Sequence, residues 1–223
     1  MGYKTSVSGF IKSSSSRSRS SSSRSRSSNV CDKTLGIQRE VLRLLNKETG
    51  CGTVTEDELS SIIYLRLVDL LNSDGEKITK LQSNDFIGFR SLASLIIVDH
   101  PKLSTLPSGI FNGLYSLRAL RLIGNAFTTL PSDIFKGLSS LLELELSDLN
   151  DLTSLPSNIF KGLNSLQDLD IDSSSLNSLP AGIFKGLSSL ETLDLRINNF
   201  SNAEKQRIRT EVTSSLPSVT LHL

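Results

Sequence analysis

A short pattern that recurs five times constrains the fold of this 223-residue chain more than any other feature. Its phenylalanine falls at positions 86, 111, 135, 160 and 184, in alternating steps of 25 and 24 residues. In the last four copies a Leu-Pro pair begins five residues before the phenylalanine, as at Leu106-Pro107. A fixed period of this length predicts one structural unit per copy, with successive units stacked along a single axis.

Leucines follow the spacing L-x-x-L-x-L, as in Leu117, Leu120 and Leu122, with isoleucine at the third position in two of the five copies. In a strand, such leucines point to one side and the residues between them to the other. One unit cannot bury its own apolar edge, so neighbouring units must share a core, with the phenylalanines filling the convex side. The spacing predicts six parallel strands, near residues 64–68, 94–98, 119–123, 143–147, 168–172 and 192–196, within a repeat domain over residues 62–200.

The chain must turn after each strand, and the buried backbone groups of that turn need hydrogen-bond partners. An Asn in each repeat would supply them, and the residues at this position form a degraded column: His100, Asn125, Asn150 (shifted by one residue), Ser174 and Asn198. His100 is therefore interpreted as a substitute in this column rather than as a general base.

Both ends of a stacked fold need covers, because they would otherwise expose strand edges and leucines. Residues 29–61 predict a helical N-terminal cap, in which Ile37, Val41, Leu44 and Leu45 follow helical spacing up to Gly50. A second helix begins at Thr55, which forms a capping-box pattern with Glu58. Residues 201–223 predict a C-terminal cap: Ser201 and Glu204 open a helix containing Ile208 and Val212, and Val219, Leu221 and Leu223 indicate a closing strand after Pro217.

The chain contains two cysteines, Cys31 and Cys51, which bracket the first predicted helix. They are too far apart for a C-x-x-C redox motif, and no further Cys or His lies near enough in sequence to suggest zinc. A single disulfide is the favoured interpretation, with two buried thiols as the alternative.

Residues 1–28 differ from the rest, and residues 13–28 read SSSSRSRSSSSRSRSS. This composition predicts a disordered tail, interpreted as a solvated linker or, alternatively, as an Arg-Ser tract of the RNA-processing kind. No RNA-binding module accompanies it, and the chain has a net charge of +1 and no Trp, so no nucleic-acid partner is expected. The segment has no apolar signal-peptide core, and no apolar run reaches the ~20 residues of a membrane span.

The repeats resemble the typical 24-residue class of extracellular leucine-rich-repeat proteins, as in Toll-like receptor ectodomains and lamprey variable lymphocyte receptors. The two ends, CDKTLGIQREVLRLL…GCGTVTEDELSSI and FSNAEKQRIRTEV…LPSVTLHL, look more like those of secreted or surface leucine-rich-repeat proteins of bacteria. The resemblance implies an α/β repeat solenoid, a curved horseshoe with a parallel β-sheet on its concave face and helical caps. It also implies an extracellular or cell-surface binding module with no catalytic residues and no cofactor.

The residues between the strand leucines should form the concave face and are the candidate ligand-binding residues. They divide into an apolar half with two arginines and an acidic half. Across neighbouring strands, Glu145, Asp170 and Asp194 should form a ladder of like charges, which packing does not require and which therefore marks a functional surface. Arg121 beside Glu145, and Arg196 beside Asp172, should offset part of the repulsion. The candidates are Tyr64, Arg66, Ile96, Val98, Arg121, Ile123, Glu143, Glu145, Asp168, Asp170, Asp172, Asp194 and Arg196.

Several functions remain open for such a face. A protein or peptide with a basic patch fits it best, and the oligomeric state is not predicted. A solvated surface with an acidic bias, a structural or adhesive spacer without a specific ligand, and carbohydrate or calcium binding are alternatives. Calcium wants six to eight oxygens, and the sequence contains no loop with EF-hand spacing. The paired carboxylates are also typical of glycosidases, but no pocket or aromatic sugar platform is implied, so no enzyme is expected.

Overall fold

The structure, a computed structural model, describes residues 30–47, 52, 54–68 and 78–223. A short 3-10 turn, Val30–Asp32, precedes three helices and seven strands. In chain order these are α1 (Leu35–Leu44), α2 (Glu56–Ser60), β1 (Tyr64–Val68), β2 (Ser94–Val98), β3 (Ala119–Ile123), β4 (Glu143–Glu145), β5 (Asp168–Asp170), β6 (Thr192–Asp194), α3 (Asn202–Ser215) and β7 (Thr220–His222). The predicted tail, residues 1–28, lies outside the described residues.

All seven strands form one parallel sheet in chain order, so each repeat pairs with the repeats before and after it. The leucine column is in direct register, and each member is at most 1% exposed: Leu120, Leu144, Leu169 and Leu193. The prediction that these leucines line up is confirmed, and the fold is a curved α/β repeat solenoid with the parallel sheet on one side.

The phenylalanine column lies on the side of the core opposite the sheet, and all five rings are buried. Phe135, Phe160 and Phe184 stack nearly parallel, with centroids 6.4 and 6.5 Å apart. Parallel strands lie about 4.8 Å apart, so each coil is wider on the phenylalanine side than on the sheet side. This difference curves the solenoid and makes the sheet its concave face.

Strands β4, β5 and β6 end two residues earlier than the spacing predicts, at Glu145, Asp170 and Asp194. In β5 the cause is the Asp170 carboxylate, whose Oδ1 accepts the Asp172 N–H at 3.0 Å and so takes a donor that the parallel ladder would use. Asp194 accepts the Arg196 N–H in the same way, also at 3.0 Å. The two aspartates therefore end their own strands.

Polar residues at the turns after β2, β3, β5 and β6 bond backbone carbonyls of the preceding repeat that have no partner in the sheet. Asn125 donates to Ile97 O at 2.9 Å and accepts the His100 N–H at 3.3 Å. His100 lies 3.3 Å from Leu67 O through Nε2, as expected for a substitute in this column. Ser174 and Asn198 continue the pattern, donating to Leu146 O and Ile171 O.

The shifted position assigned to Asn150 is wrong. Leu149 occupies this place in the column and is fully buried, whereas Asn150 is exposed and reaches only the Asp148 carbonyl, at 3.5 Å. Ser174 Oγ from the next repeat accepts the Leu149 N–H at 3.3 Å, as Asn125 accepts the His100 N–H. The backbone of Leu149 therefore keeps its place in the column, although its side chain cannot bond the preceding repeat.

Helices α1 and α2 precede the sheet. Ile37 and Val41 are buried as predicted, but Leu44 is exposed and ends α1, and Gly50 lies outside the described residues. The Thr55–Glu58 capping box is present in full. Sequence reasoning missed two buried side chains that connect the start of α1 to the first repeat. Lys33 donates to Ile87 O at 2.7 Å, and Asp85 accepts the Thr34 N–H.

Helix α3 follows the last repeat and buries Ile208 and Val212, as predicted. Ser201 Oγ accepts the Glu204 N–H, but Glu204 does not return the bond to Ser201; it accepts the Leu179 N–H at 2.8 Å and binds Arg207. Strand β7 pairs with β6 through Leu193 and Leu221, as the alternation after Pro217 predicts. The role of the helices as covers, and the domain boundaries, stay predictions.

Candidate functional site

The concave face carries the side chains that alternate with the buried leucines. Tyr64, Arg66 and Glu143 are exposed, whereas Ile96 and Ile123 are half-buried. Val98 is only 9% exposed, because it lies in register between Val68 and Ile123. It therefore offers little surface to a ligand, although the sequence marks it as a candidate.

Carboxylates from three neighbouring strands lie side by side in the middle and C-terminal part of this face. Glu143 of β4 is in register with Asp168 of β5. Glu145 is in register with Asp170, and Asp170 with Asp194 of β6. We call Glu143, Glu145, Asp168, Asp170 and Asp194 the acidic ladder. Its register is the one that the repeat spacing predicts.

Arg121 of β3 is the cation at the N-terminal edge of the ladder. Its guanidinium lies 3.3 Å from Glu143 Oε2 and 3.2 Å from Glu145 Oε2, so one positive charge serves two carboxylates. The predicted contact between Arg121 and Glu145 is present.

Arg196 binds a different carboxylate from the one predicted. Its guanidinium donates to Asp194 Oδ1 at 3.0 Å and to Oδ2 at 2.9 and 2.6 Å, rather than to Asp172. Burial favours the neutral form of Asp194, which is 8% exposed, but the hydrogen bonds from Arg196 outweigh it and hold the pKa of this carboxyl below its usual value. Asp194 is thus buried and neutralised, and so is a poor ligand contact.

Asp170 lies at the centre of the ladder and has the most perturbed environment. Burial raises the pKa of its carboxyl to about 6, and the negative charges of Asp172, Asp194 and Glu145 act in the same direction. The Asp172 N–H opposes the shift by stabilising the charged form. The ladder therefore holds one carboxylate that becomes fully ionised only near neutral pH.

A shallow cleft of about 340 Å³ opens over the ladder. It is lined by Arg121, Glu143, Leu144, Glu145, Asp168 and Asp170, and we call it the acidic cleft. Among the described residues, Asp168, Asp170 and Asp172 form no ion pair, so the negative charge of the cleft is only partly neutralised.

Sequence reasoning missed the backbone conformation of the turns beside the face. From β2 to β6, the residue after the strand end that the spacing predicts is in the left-handed region: Asp99, Gly124, Asp148, Ser173 and Ile197. Asp, Gly and Ser are typical turn residues, but Ile197, with φ 53°, is β-branched and 74% exposed. The aligned repeats could have revealed this column, since four of its five members are typical turn residues.

Within the described ranges, no group of three or more His, Cys, Asp or Glu side chains is arranged to hold a metal ion. The described helices include none with the length and apolar character needed to cross a bilayer. Cys31 lies close to the segment that contains Cys51, since its Sγ is 4.0 Å from a Cβ built on Gly52. Cys51 itself lies outside the described residues, and the disulfide stays a prediction.

The regular part of the solenoid matches a known family. The family described as leucine rich repeat matches residues 90–152 and 148–200, which contain β2 to β6 and the acidic ladder. The chain is a leucine-rich-repeat protein. No curated protein matches it significantly. Leucine-rich-repeat domains generally mediate protein–protein interactions, are typically non-catalytic and are often found outside the cell or at its surface.

Proposed function

We propose that this leucine-rich-repeat protein is a non-catalytic recognition module. Its acidic concave face binds a basic patch on a partner protein or peptide. The observation that carries the proposal is the in-register ladder of carboxylates over the acidic cleft. A solenoid of this kind presents its sheet as an extended binding surface.

The physical argument starts from the cost of the ladder. Like charges directly opposite each other across a sheet are destabilising, and two arginines neutralise only part of this one. The buried leucines and phenylalanines and the polar turn residues hold the repeats together, so a chain with neutral residues at these outward positions would fold as well. A cationic ligand would be attracted by these carboxylates, and the attraction would increase both the rate of association and the specificity of the complex.

The N-terminal half of the face supplies a different surface. Tyr64 is exposed and Ile96 and Ile123 are half-buried, so this half offers apolar contacts beside the charged cleft. Aromatic anchors of this kind often contribute most of the energy of an interface. A partner with both a basic and an apolar segment would use the whole face.

The chief rival is a structural or adhesive spacer without a specific ligand. The outward residues differ from strand to strand, whereas Lys136, Lys161 and Lys185 on the convex side repeat. Variety on the concave side favours recognition. A location outside the cell or at its surface, in a host-interaction or adhesive setting, is the context in which we place this function.

Charge reversal tests the proposal. A fluorescein-labelled hexa-arginine peptide is titrated into the full chain and into the variant E145K/D170K/D172K, with fluorescence anisotropy as the readout. We expect the variant to lose binding, and the affinity of the wild type to fall as salt is raised from 50 to 300 mM.

The matched control is E56K/D133K/D151K, which makes the same change of charge at exposed positions outside the ladder. We expect it to bind the peptide like the wild type. Equal losses in both variants would indicate a response to net charge alone. Unchanged binding by the concave variant would exclude this face.

A further inference from the structure

The Arg- and Ser-rich segment is a feature that the proposed function leaves unused. The first 29 residues carry six of the 24 Lys and Arg and none of the 23 Asp and Glu. Residues 30–223 therefore hold 18 basic against 23 acidic residues. The near-neutral charge of the whole chain conceals a basic N-terminal segment joined to an acidic solenoid.

We propose that residues 13–28 dock on the acidic cleft of the same molecule and compete there with an external basic partner. This inference rests on the proposed function of the concave face and names a regulator of that surface. The segment carries Arg17, Arg19, Arg24 and Arg26.

Unpaired carboxylates provide the acceptors. Arg121 and Arg196 already bind Glu143, Glu145 and Asp194, but Asp168, Asp170 and Asp172 form no ion pair within the described part of the chain. The cleft opens directly over Asp168 and Asp170. Guanidinium groups bind carboxylates with two parallel hydrogen bonds, which makes arginine better suited to these groups than lysine.

Spacing supports the match as well as charge. The carboxylates recur every second residue along a strand, as in Asp168 and Asp170, and so lie about 6.6 Å apart on one face. The arginines also recur every second residue, as Arg17-Ser-Arg19 and Arg24-Ser-Arg26. An extended Arg-Ser-Arg unit therefore presents two guanidinium groups on one side, at the same interval as the two carboxylates.

The first Arg-Ser-Arg unit, Arg17-Ser-Arg19, is far enough from Val30 along the chain to reach the cleft. Val30 lies in the turn before α1, and β5 is four strands away from β1, about 19 Å at the spacing of a parallel sheet. The 13 residues from Arg17 to Val30 span up to about 45 Å when extended. Because the segment is tethered, its effective concentration at the cleft exceeds that of a free peptide, so it would compete strongly.

Two full-length variants test the inference by titration with the labelled hexa-arginine peptide. R17S/R19S/R24S/R26S removes the four arginines of the segment. K102S/K136S/K161S/K185S removes four exposed positive charges from the solenoid and is the matched control. We expect the first variant to bind the peptide about tenfold more tightly than the wild type, and the control to change little; tenfold corresponds to about 1.4 kcal/mol.

The outcomes separate the two proposals. Equal affinity of the wild type and the segment variant overturns docking but leaves the concave face as the binding surface. If neither the wild type nor the variants bind the peptide, the proposed function fails. NMR then tests the docking of the segment without the peptide. Amide signals of β4 and β5 should differ between the wild type and the segment variant, equally at 50 and 500 µM protein. Differences confined to residues near Val30, or growing with concentration, contradict docking within one molecule.

Discussion

Two single residues of this solenoid are in unfavourable environments. Ile197 holds a left-handed backbone that β-branched side chains rarely adopt, at a position where the other repeats use Asp, Gly or Ser. The carboxylate of Asp170 lies near three other carboxylates, those of Asp172, Asp194 and Glu145. Neither feature contributes to the shared core of leucines and phenylalanines, so both can be changed without disturbing the stacking of the repeats.

Replacing Ile197 with Asn should stabilise the protein. Asn tolerates the left-handed turn, and relief of the strain is worth about 1 kcal/mol. Urea unfolding measures the change, with I63N as control because Ile63 is also exposed and is outside the left-handed column. A gain no larger than that of I63N would contradict the prediction.

Stability should depend on pH through Asp170. Its pKa is raised to about 6 in the folded protein, against an ordinary value of 3.8, so the folded state binds the proton more tightly than the unfolded state. The contribution of Asp170 to the free energy of unfolding is therefore largest below pH 3.8 and is lost as the pH rises from about 4 to 6. We expect D170N to melt at a higher temperature than the wild type at pH 7.5 and to lose that advantage at pH 4. Melting curves of D151N are the control, and a constant difference between D170N and the wild type over this range would contradict the prediction.

The elements depend on hydrogen bonds between repeats as much as on leucines. The polar column links the turn of each coil to the strand of the one before it, as Asn125 does between Ile97 and His100. These bonds are buried, so removing one partner leaves groups that water cannot reach.

Asn125→Ala should destabilise the protein by about 2–3 kcal/mol. The substitution removes the hydrogen bonds that the Asn125 side chain makes with Ile97 O, Ile123 O and the His100 N–H. Asn150→Ala is the control: that side chain is exposed, and its replacement should have almost no effect. Equal effects in urea unfolding would show that the column is not in the register described.

The two cysteines belong to the same scale, since a bond between Cys31 and Cys51 would fasten α1 to the start of α2. We expect non-reducing peptide mass mapping to find this cross-link. Reduction should cost about 3 kcal/mol of stability, the usual value for a loop of about 20 residues. Two alkylated thiols in the untreated protein would contradict the disulfide.

The sequence predicted the stacking because leucine and phenylalanine spacing directly encodes burial. It predicted the register of Glu145, Asp170 and Asp194 for the same reason. It missed the ends of β5 and β6, since an Asp side chain can take the backbone N–H two residues on, which periodicity does not reveal. The partner of Arg196 was missed because contact geometry, rather than register, decides which neighbouring carboxylate a long side chain reaches.

At the scale of the whole molecule, the two faces of the solenoid differ in charge. The core is shared between repeats, the convex side carries a row of lysines, and the concave side gathers carboxylates that the fold does not need. Under the proposed function, such an acidic solenoid with a basic N-terminal segment would recognise a cationic partner and regulate access to its own concave face.

The most direct test of the concave face as the binding surface is an NMR footprint of the hexa-arginine peptide on the full-length R17S/R19S/R24S/R26S variant. We expect the largest amide shifts on β3, β4 and β5, around Arg121, Glu145 and Asp170. Shifts of similar size at the acidic first turn of α2, around Glu56 and Asp57, with none over the cleft, would contradict this expectation.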